Sequence, residues 1–237
     1  MRSSAGSTRR WLGLGGLALW LLVVLPLALL VRAGWAPLLD YDRSVVDALE
    51  PAAARSSAYQ VVLNVVTTPG TSWFRFLVLA PVVVWAFRTH RARLGWLLVV
   101  AGGSVGLLAV LVKDVVGRMR PDLPHPIYSS DSLSFPSGHS SGIVTLVGLL
   151  LIAFLRVQRP RIRVVSIVGS VLLVLAVGWT RMALGAHYPS DVLAGFAFGA
   201  GLVLVLAAVF DANPPLREEH PEDSRLLQQQ RPGEERA

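Results

Sequence analysis

Hydrophobic residues in this chain gather into long blocks, with apolar runs at about 11–31, 71–88, 94–116, 140–156, 163–181 and 190–210. Each approaches the roughly 17–25 apolar residues that an α-helix needs to cross a bilayer. The pattern predicts an all-α fold, a polytopic membrane helix bundle of about six transmembrane helices. The second run is the weakest, because Arg75 interrupts it and leaves only Phe76 to Phe87 uncharged. The mostly apolar stretch Tyr59 to Val66 extends it in one reading, and a five-span bundle is the alternative. Trp11, Trp73, Trp96 and Trp179 stand near run ends, where tryptophan anchors helices in the interface, whereas Trp20 does not.

Composition supports the membrane reading: the 237 residues are 53% hydrophobic and only 16% charged, and mean hydropathy is +0.56. Cysteine is absent, which excludes disulfides and thiolate metal sites and leaves the redox compartment open. The net charge of +7 would suit a nucleic-acid partner, but the arginines cluster in short segments between apolar runs, so no nucleic acid is expected. They read instead as topology signals. Arg2, Arg9 and Arg10, then Arg88, Arg91 and Arg93, then Arg156, Arg159, Arg161 and Arg163 all fall on one side of a six-span bundle, the cytoplasmic side by the positive-inside rule. In the first opposite loop, Asp40, Asp42, Asp47 and Glu50 offset Arg32, Arg43 and Arg55.

This gives a cytoplasmic N-terminus over 1–10, a transmembrane domain over 11–210 and a disordered cytoplasmic tail over 211–237, where composition turns to Pro, Glu, Arg and Gln. Thr8-Arg9-Arg10-Trp11-Leu12 partly resembles a twin-arginine export signal, and a cleavable signal peptide is a second alternative. The run is longer than the roughly 7–15 residues of a signal h-region, which favours an uncleaved anchor. No internal repeat is present.

Three polar islands lie at run edges: Lys113 with Arg120-Pro121, then Pro136-Ser137-Gly138-His139, then Arg181 with His187 and Asp191. Lysine and arginine donate to a tetrahedral anion, while two histidines can divide nucleophile and proton-donor duties in a displacement at phosphorus. In the six-span topology all three islands face outward. A charge at mid-bilayer costs about 2.5–3.5 kcal/mol, so they are expected to gather at an outer vestibule.

Each island also has a plainer reading. If the third helix continues through Lys113 and Arg120, seven residues apart, they lie about two turns apart on nearly one face and can grip one anion. Pro121 would then end the helix; otherwise they are a snorkelling lysine and an interfacial arginine. Ser137 caps the fourth helix, Gly138 allows close approach of a ligand, and His139 in the first turn can donate a proton beside the anion-binding helix N-terminus. The alternative is an ordinary cap and an interfacial histidine. His187 and Asp191 stand four apart beside Pro189, a first-turn proline. There the carboxylate can hold one imidazole nitrogen protonated and leave the other free to attack. Arg181, ending the preceding helix, would clamp the phosphate oxygens. A metal site is the rival for two histidines and an aspartate, disfavoured because lysine and arginine repel a cation.

Outside the islands, Arg75 either points into the vestibule as an extra phosphate contact or snorkels outward. Asp114 is either a counter-ion of Lys113 or an interfacial charge. The first outer loop, about 32–58, is a candidate gate of unspecified pose, and Asp122 to Phe135 reads as a polar outer loop.

The islands resemble the three-part signature of the type 2 phosphatidic acid phosphatase superfamily. That signature runs Lys, six residues, Arg-Pro; then Pro-Ser-Gly-His; then Ser-Arg, five residues, His, three residues, Asp. Here the matching positions are Lys113, Arg120 and Pro121; Pro136, Ser137, Gly138 and His139; and Arg181, His187 and Asp191. Thr180 stands where the pattern has serine and keeps the hydroxyl. The resemblance spans about 113–191 and implies a six-helix membrane core. It implies further that His187 is a nucleophile forming a phosphohistidine, that Asp191 orients it and that His139 protonates the leaving oxygen. Lys113, Arg120 and Arg181 would bind phosphate, with Ser137 and Gly138 assisting, and no cofactor or metal is implied.

The function expected is that of an integral membrane lipid phosphatase. It would remove the terminal phosphate of phosphatidic acid, lysophosphatidic acid, phosphatidylglycerol phosphate or polyprenyl diphosphate at the extracytoplasmic face, with the lipid partner held in the bilayer. A lipid phosphotransferase sharing the phosphohistidine is the second enzyme reading, and a non-catalytic lipid-binding or transport protein is the alternative from another class. A vanadate-dependent haloperoxidase is disfavoured by the membrane spans. Chain specificity and oligomeric state are not written in the sequence.

Overall fold

The computed structural model describes residues 3–123 and 132–211. The N-terminal span is built from α1 (Ser3–Leu19), a π-helical turn (Trp20–Val24) and α2 (Leu25–Arg32). Pro26 in the first turn of α2 lacks an N–H, and the π turn just before it closes with the Leu25 N–H on the Trp20 carbonyl. Next come α3 (Ala36–Ala54), α4 (Ser57–Thr67), α5 (Ser72–Arg88), α6 (Ala92–Val116), α7 (Gly138–Phe154), α8 (Pro160–Ala183) and α9 (Pro189–Phe210). Among the described residues there is no strand, in agreement with the all-α expectation.

Five helical stretches are long and apolar enough to cross a bilayer, and α4 with α5, bent by 44° at their junction, makes a sixth when the pair is taken as one span. Tyr59 to Val66 lies in α4, which is the helix that precedes the weak second run. The break comes at Thr68-Pro69-Gly70, a short 3-10 turn, because proline cannot continue the hydrogen-bond ladder. Leu22, Leu107, Val165 and Leu172 are largely exposed on the outside of the bundle, as side chains facing lipid would be.

The core centres on α9, which packs against α1, α6 and α7. Gly195 and Gly199, one turn apart, make the α7 contact close: a Cβ on Gly195 would stand 2.7 Å from the Ser137 carbonyl oxygen, and one on Gly199 would stand 2.5 Å from that of Ser141. Small residues at this spacing let helix backbones approach in a membrane, where no hydrophobic effect drives them together. The start of α7 is thereby pressed onto the start of α9.

Two expectations change. The third long helix, α6, does not continue to Arg120 and is not ended by Pro121. It stops at Val116, because Gly117 adopts the left-handed conformation (φ 70°) and its N–H closes back onto the Lys113 carbonyl at 2.8 Å. The segment 32–58 is not a loop but largely the helix α3, whose face Asp42, Val46, Glu50 and Ala53 is buried against α4, α8 and α9. The tail over 212–237 and part of the outer loop, 124–131, lie outside the described residues.

Candidate active site

The end of α6, the segments 117–123 and 132–137, and the starts of α7 and α9 are stitched together at one end of the bundle. The Ser134 N–H donates to the Arg118 carbonyl at 2.8 Å, and the Ser137 N–H donates to the Asp191 carbonyl at 3.0 Å. The end of α8 turns into the same region, where the N–H groups of Ala186 and His187 both return to the Arg181 carbonyl. All three islands therefore meet.

His187 is only 2% exposed. Its Nε2 lies 3.2 Å from Nη1 of Arg120, and its Nδ1 lies 3.5 Å from Oδ2 of Asp191. Guanidinium can only donate, so the Nε2 facing it is the unprotonated nitrogen and the ring proton sits on Nδ1, toward the carboxylate. Burial pushes the imidazole well below the ordinary histidine range, and the charges of Arg181, Arg120 and Lys113 push it the same way. His187 is thus a neutral imidazole with a lone pair aimed into a cationic environment. The i, i+4 relation read from the sequence holds, although His187 itself precedes the helix that begins at Pro189.

Arg120 reaches His187 from the non-helical segment after Gly117, held by the Ala186 carbonyl at 2.6 Å and by Ser132, whose carbonyl and hydroxyl both accept at 2.8 Å. Lys113, in the last turn of α6, donates to the Leu133 carbonyl. Arg181, in the last turn of α8, is 2% exposed and lies 3.4 Å from Oγ1 of Thr67. Ser137 is the N-cap of α7, and its hydroxyl oxygen accepts from the Ser140 N–H at 3.3 Å and the Ser140 hydroxyl at 2.9 Å. Among the described residues, none lies within 4 Å of where a side chain at Gly138 would begin. His139 follows in the first turn, within electrostatic reach of Arg181, His187, Arg120 and Lys113. Gly70 at the α4–α5 bend packs on its backbone, where a Cβ would stand 2.9 Å from the His139 carbonyl oxygen.

Arg118 and Asp42, charged residues at the site, are absent from the islands. Arg118 donates to Asp191 Oδ1 at 2.9 Å and to Asp42 Oδ2 at 2.7 Å, with its guanidinium carbon 3.9 Å from the Tyr188 ring centroid. Asp42, wholly buried, comes from α3. The signal that would have found it is the helical spacing of Asp42, Val46, Glu50 and Ala53. Beside the site, Asp40, Arg43, Asp114, Arg118, Arg120 and Tyr188 contribute to a cleft of about 820 Å³, with Asp114 itself exposed. Arg75 enters neither vestibule nor solvent. It is 2% exposed and donates to the Gly102 carbonyl at 2.9 Å and to Ser72 Oγ at 3.2 Å. Gly142, where a Cβ would stand 2.7 Å from Arg75 Nη1, leaves the room for it.

Comparison with known proteins bears on this geometry. The pattern of the PAP2 superfamily matches residues 93–215. A lipid A 1-phosphatase of Rhizobium johnstonii is 46% identical over 114 residues, 44% of this chain and 43% of the relative. The chain thus aligns with less than half of that relative's length. Phosphatidylglycerophosphatase B of Bacillus subtilis is 31% identical over 153 residues, 63% of this chain and 74% of the relative. Among solved structures, a transmembrane PAP2-type phosphatidylglycerolphosphate phosphatase from Bacillus subtilis superposes with a TM-score of 0.70 at 22% identity, covering 85% of this chain and 98% of the other; it supports the fold. With the family pattern over more than half of the residues and the three islands joined at one site, the chain belongs to the PAP2 superfamily, the type 2 phosphatidic acid phosphatase family that its motifs resemble.

Proposed function

We propose that the protein is a membrane lipid phosphatase acting through a phosphohistidine on His187. The observation that carries this reading is the position of one neutral imidazole between Arg120 at Nε2 and Asp191 at Nδ1, under the charges of Arg181, Arg120 and Lys113. A phosphate monoester entering this cluster would take donors from Lys113, Arg120 and Arg181, with the Ser137 hydroxyl and the Gly138 N–H at the start of α7 assisting.

The reaction divides into two displacements. The Nε2 lone pair forms the N–P bond while the bond from phosphorus to the leaving oxygen breaks, and protonated His139 gives its proton to that oxygen. The ring of His187, now bearing a proton on Nδ1 and phosphorus on Nε2, gains positive charge that Asp191 stabilises. Water then attacks phosphorus, His139 takes its proton, and the N–P bond breaks to release inorganic phosphate and neutral His187. The cationic cluster stabilises charge on the transferring oxygens in both steps.

A lipid substrate follows from the position of the site at the end of a bundle with lipid-facing walls, where a head group can reach the cations while its chains stay in the bilayer. The arginine clusters favour the extracytoplasmic side for this end by the positive-inside rule, with both termini cytoplasmic. Phosphatidic acid, phosphatidylglycerol phosphate, a lipid A phosphate and a polyprenyl diphosphate are the substrates to compare. The test is phosphate release from each by detergent-purified protein in EDTA, with His187→Ala alongside. Release that depends on His187 is the expected result; equal release by the variant, or none from any lipid with the wild type, contradicts the proposal.

A further inference from the structure

Asp42 has no part in the three islands, yet its carboxylate is fully engaged at the site. Oδ1 accepts the Ser190 N–H at 3.0 Å, and Oδ2 accepts both the Ser190 hydroxyl and Arg118 Nη2 at 2.7 Å. Nη1 of the same arginine donates to Asp191 Oδ1 at 2.9 Å and to Ser190 Oγ at 2.7 Å. The other oxygen of Asp191 accepts the Tyr188 N–H at 2.9 Å and faces Nδ1 of His187 at 3.5 Å. The side chains of both aspartates are wholly buried, and that of Arg118 is 8% exposed. A single guanidinium is therefore divided between two buried carboxylates, one next to the imidazole and one brought in by α3.

The charges explain why the second carboxylate matters. Asp42, Arg118 and Asp191 together carry a formal charge of minus one. Without Asp42, Arg118 would neutralise Asp191 by itself, and the attraction of Asp191 for the Nδ1 proton would weaken as the phosphorylated ring becomes positive. We propose that Asp42 is a positioning residue for the reaction: by holding Arg118 from the far side, it keeps the guanidinium from fully neutralising Asp191 and keeps that carboxylate aimed at Nδ1, and so keeps the Nε2 lone pair of His187 free to attack. The inference rests on the reading of His187 as the nucleophile. It also gives α3 a function, because the bundle's site is completed by a side chain from the connection between its first two spans.

The competing account is purely structural: Asp42 caps the start of α9 through Ser190 and packs α3 in place. Val46 separates the two, being fully buried one turn along the same face of α3 and apolar. The full chain in detergent would be compared as wild type, Asp42→Asn, Asp42→Glu and Val46→Ala. Asp42→Asn keeps an acceptor for Ser190 and removes the charge. It is expected to lower kcat on the order of 10–100-fold, the scale on which outer carboxylate partners of an oriented histidine act, with KM within about threefold. Asp42→Glu, which keeps the charge, should recover part of the loss, and Val46→Ala should stay within about threefold of wild type.

A second readout does not depend on turnover. Nitrogen NMR of histidine-labelled protein, with His187 assigned by its disappearance in His187→Ala, should place the ring proton on Nδ1 in the wild type and show both tautomers in Asp42→Asn. An unchanged tautomer with unchanged kcat in Asp42→Asn would overturn the proposal, as would equal losses in Val46→Ala or in Asp42→Glu. Failure of the wild type to release phosphate from any lipid would instead contradict the functional reading, and the tautomer comparison would still decide the role of Asp42.

Discussion

Nε2 of His187 and Nη1 of Arg120 lie 3.2 Å apart, and because guanidinium has no lone pair to offer, this contact favours the tautomer protonated at Nδ1, together with Asp191 on the other side of the ring. In the proposed reaction Arg120 has a double duty: it would cover the lone pair until substrate arrives and then meet a phosphate oxygen. Its planar fork is also fixed by Ser132 and Ala186. Arg120→Lys keeps the charge but loses the fork. We expect it to cut kcat/KM by on the order of 100-fold, the effect of removing one oriented donor from a developing oxyanion. A loss under about threefold would contradict the phosphate-gripping role.

The protonation of His187 predicts how activity and stability respond to acid. Attack requires the neutral ring, and burial followed by the charges of Arg181, Arg120 and Lys113 holds its pKa well below the ordinary 6.5. The acid limb of kcat/KM due to His187 should therefore fall well below pH 6.5. The folded pKa is depressed, so the unfolded chain binds the extra proton first. The contribution to stability is complete above about 6.5 and is lost as pH falls from there toward the folded value. Thermal unfolding in detergent across the acid range, wild type against His187→Gln, measures this; identical pH dependence in the two would contradict it.

Removing Arg118 should be costly to the fold. Asp42 and Asp191 would then be two buried carboxylates without their shared cation. Breaking a buried pair costs about 3–5 kcal/mol, so Arg118→Met should lower the midpoint of thermal unfolding sharply. An unchanged midpoint would show that the carboxylates are not ionised together.

Arg75 lies in the seam of α5 and α6 beside Gly142 of α7, donating to Gly102 and Ser72. These hydrogen bonds make it a structural tie between the helices. Arg75→Met is expected to lower thermal stability by about 1–3 kcal/mol, the cost of leaving buried partners unsatisfied, with KM within about twofold. A severalfold rise in KM at unchanged stability would return Arg75 to the phosphate site.

Much of this was legible in the sequence, for physical reasons that differ from residue to residue. Five of the spans follow from apolar length alone, whereas the second run was the weakest, and the α4–α5 bend that accounts for it falls at Pro69-Gly70 after the run ending at Val66. Ser137 as a cap, Pro189 at a helix start and Arg181 in a last turn are local features, and each stands where local chemistry puts it. Gly117 is an equally local signal. Its left-handed turn stops α6 at Val116, before the chain reaches Pro121, so the glycine and not the proline ends the helix. The contact between Asp42 and Arg118 spans 76 positions, and no pattern of neighbours announces it. Arg75 was ambiguous because its burial depends on two glycines, Gly102 and Gly142, that only the packed bundle brings to it.

The central claim is that phosphate passes through His187. The most direct measurement is to mix purified protein with a lipid carrying radiolabelled terminal phosphate, quench within the turnover time and look for label on the protein. The account predicts a phosphoprotein that is stable in alkali and labile in acid, present in the wild type and absent in His187→Ala. Label retained in the variant, or turnover in the wild type with no labelled protein at any quench time, would contradict it.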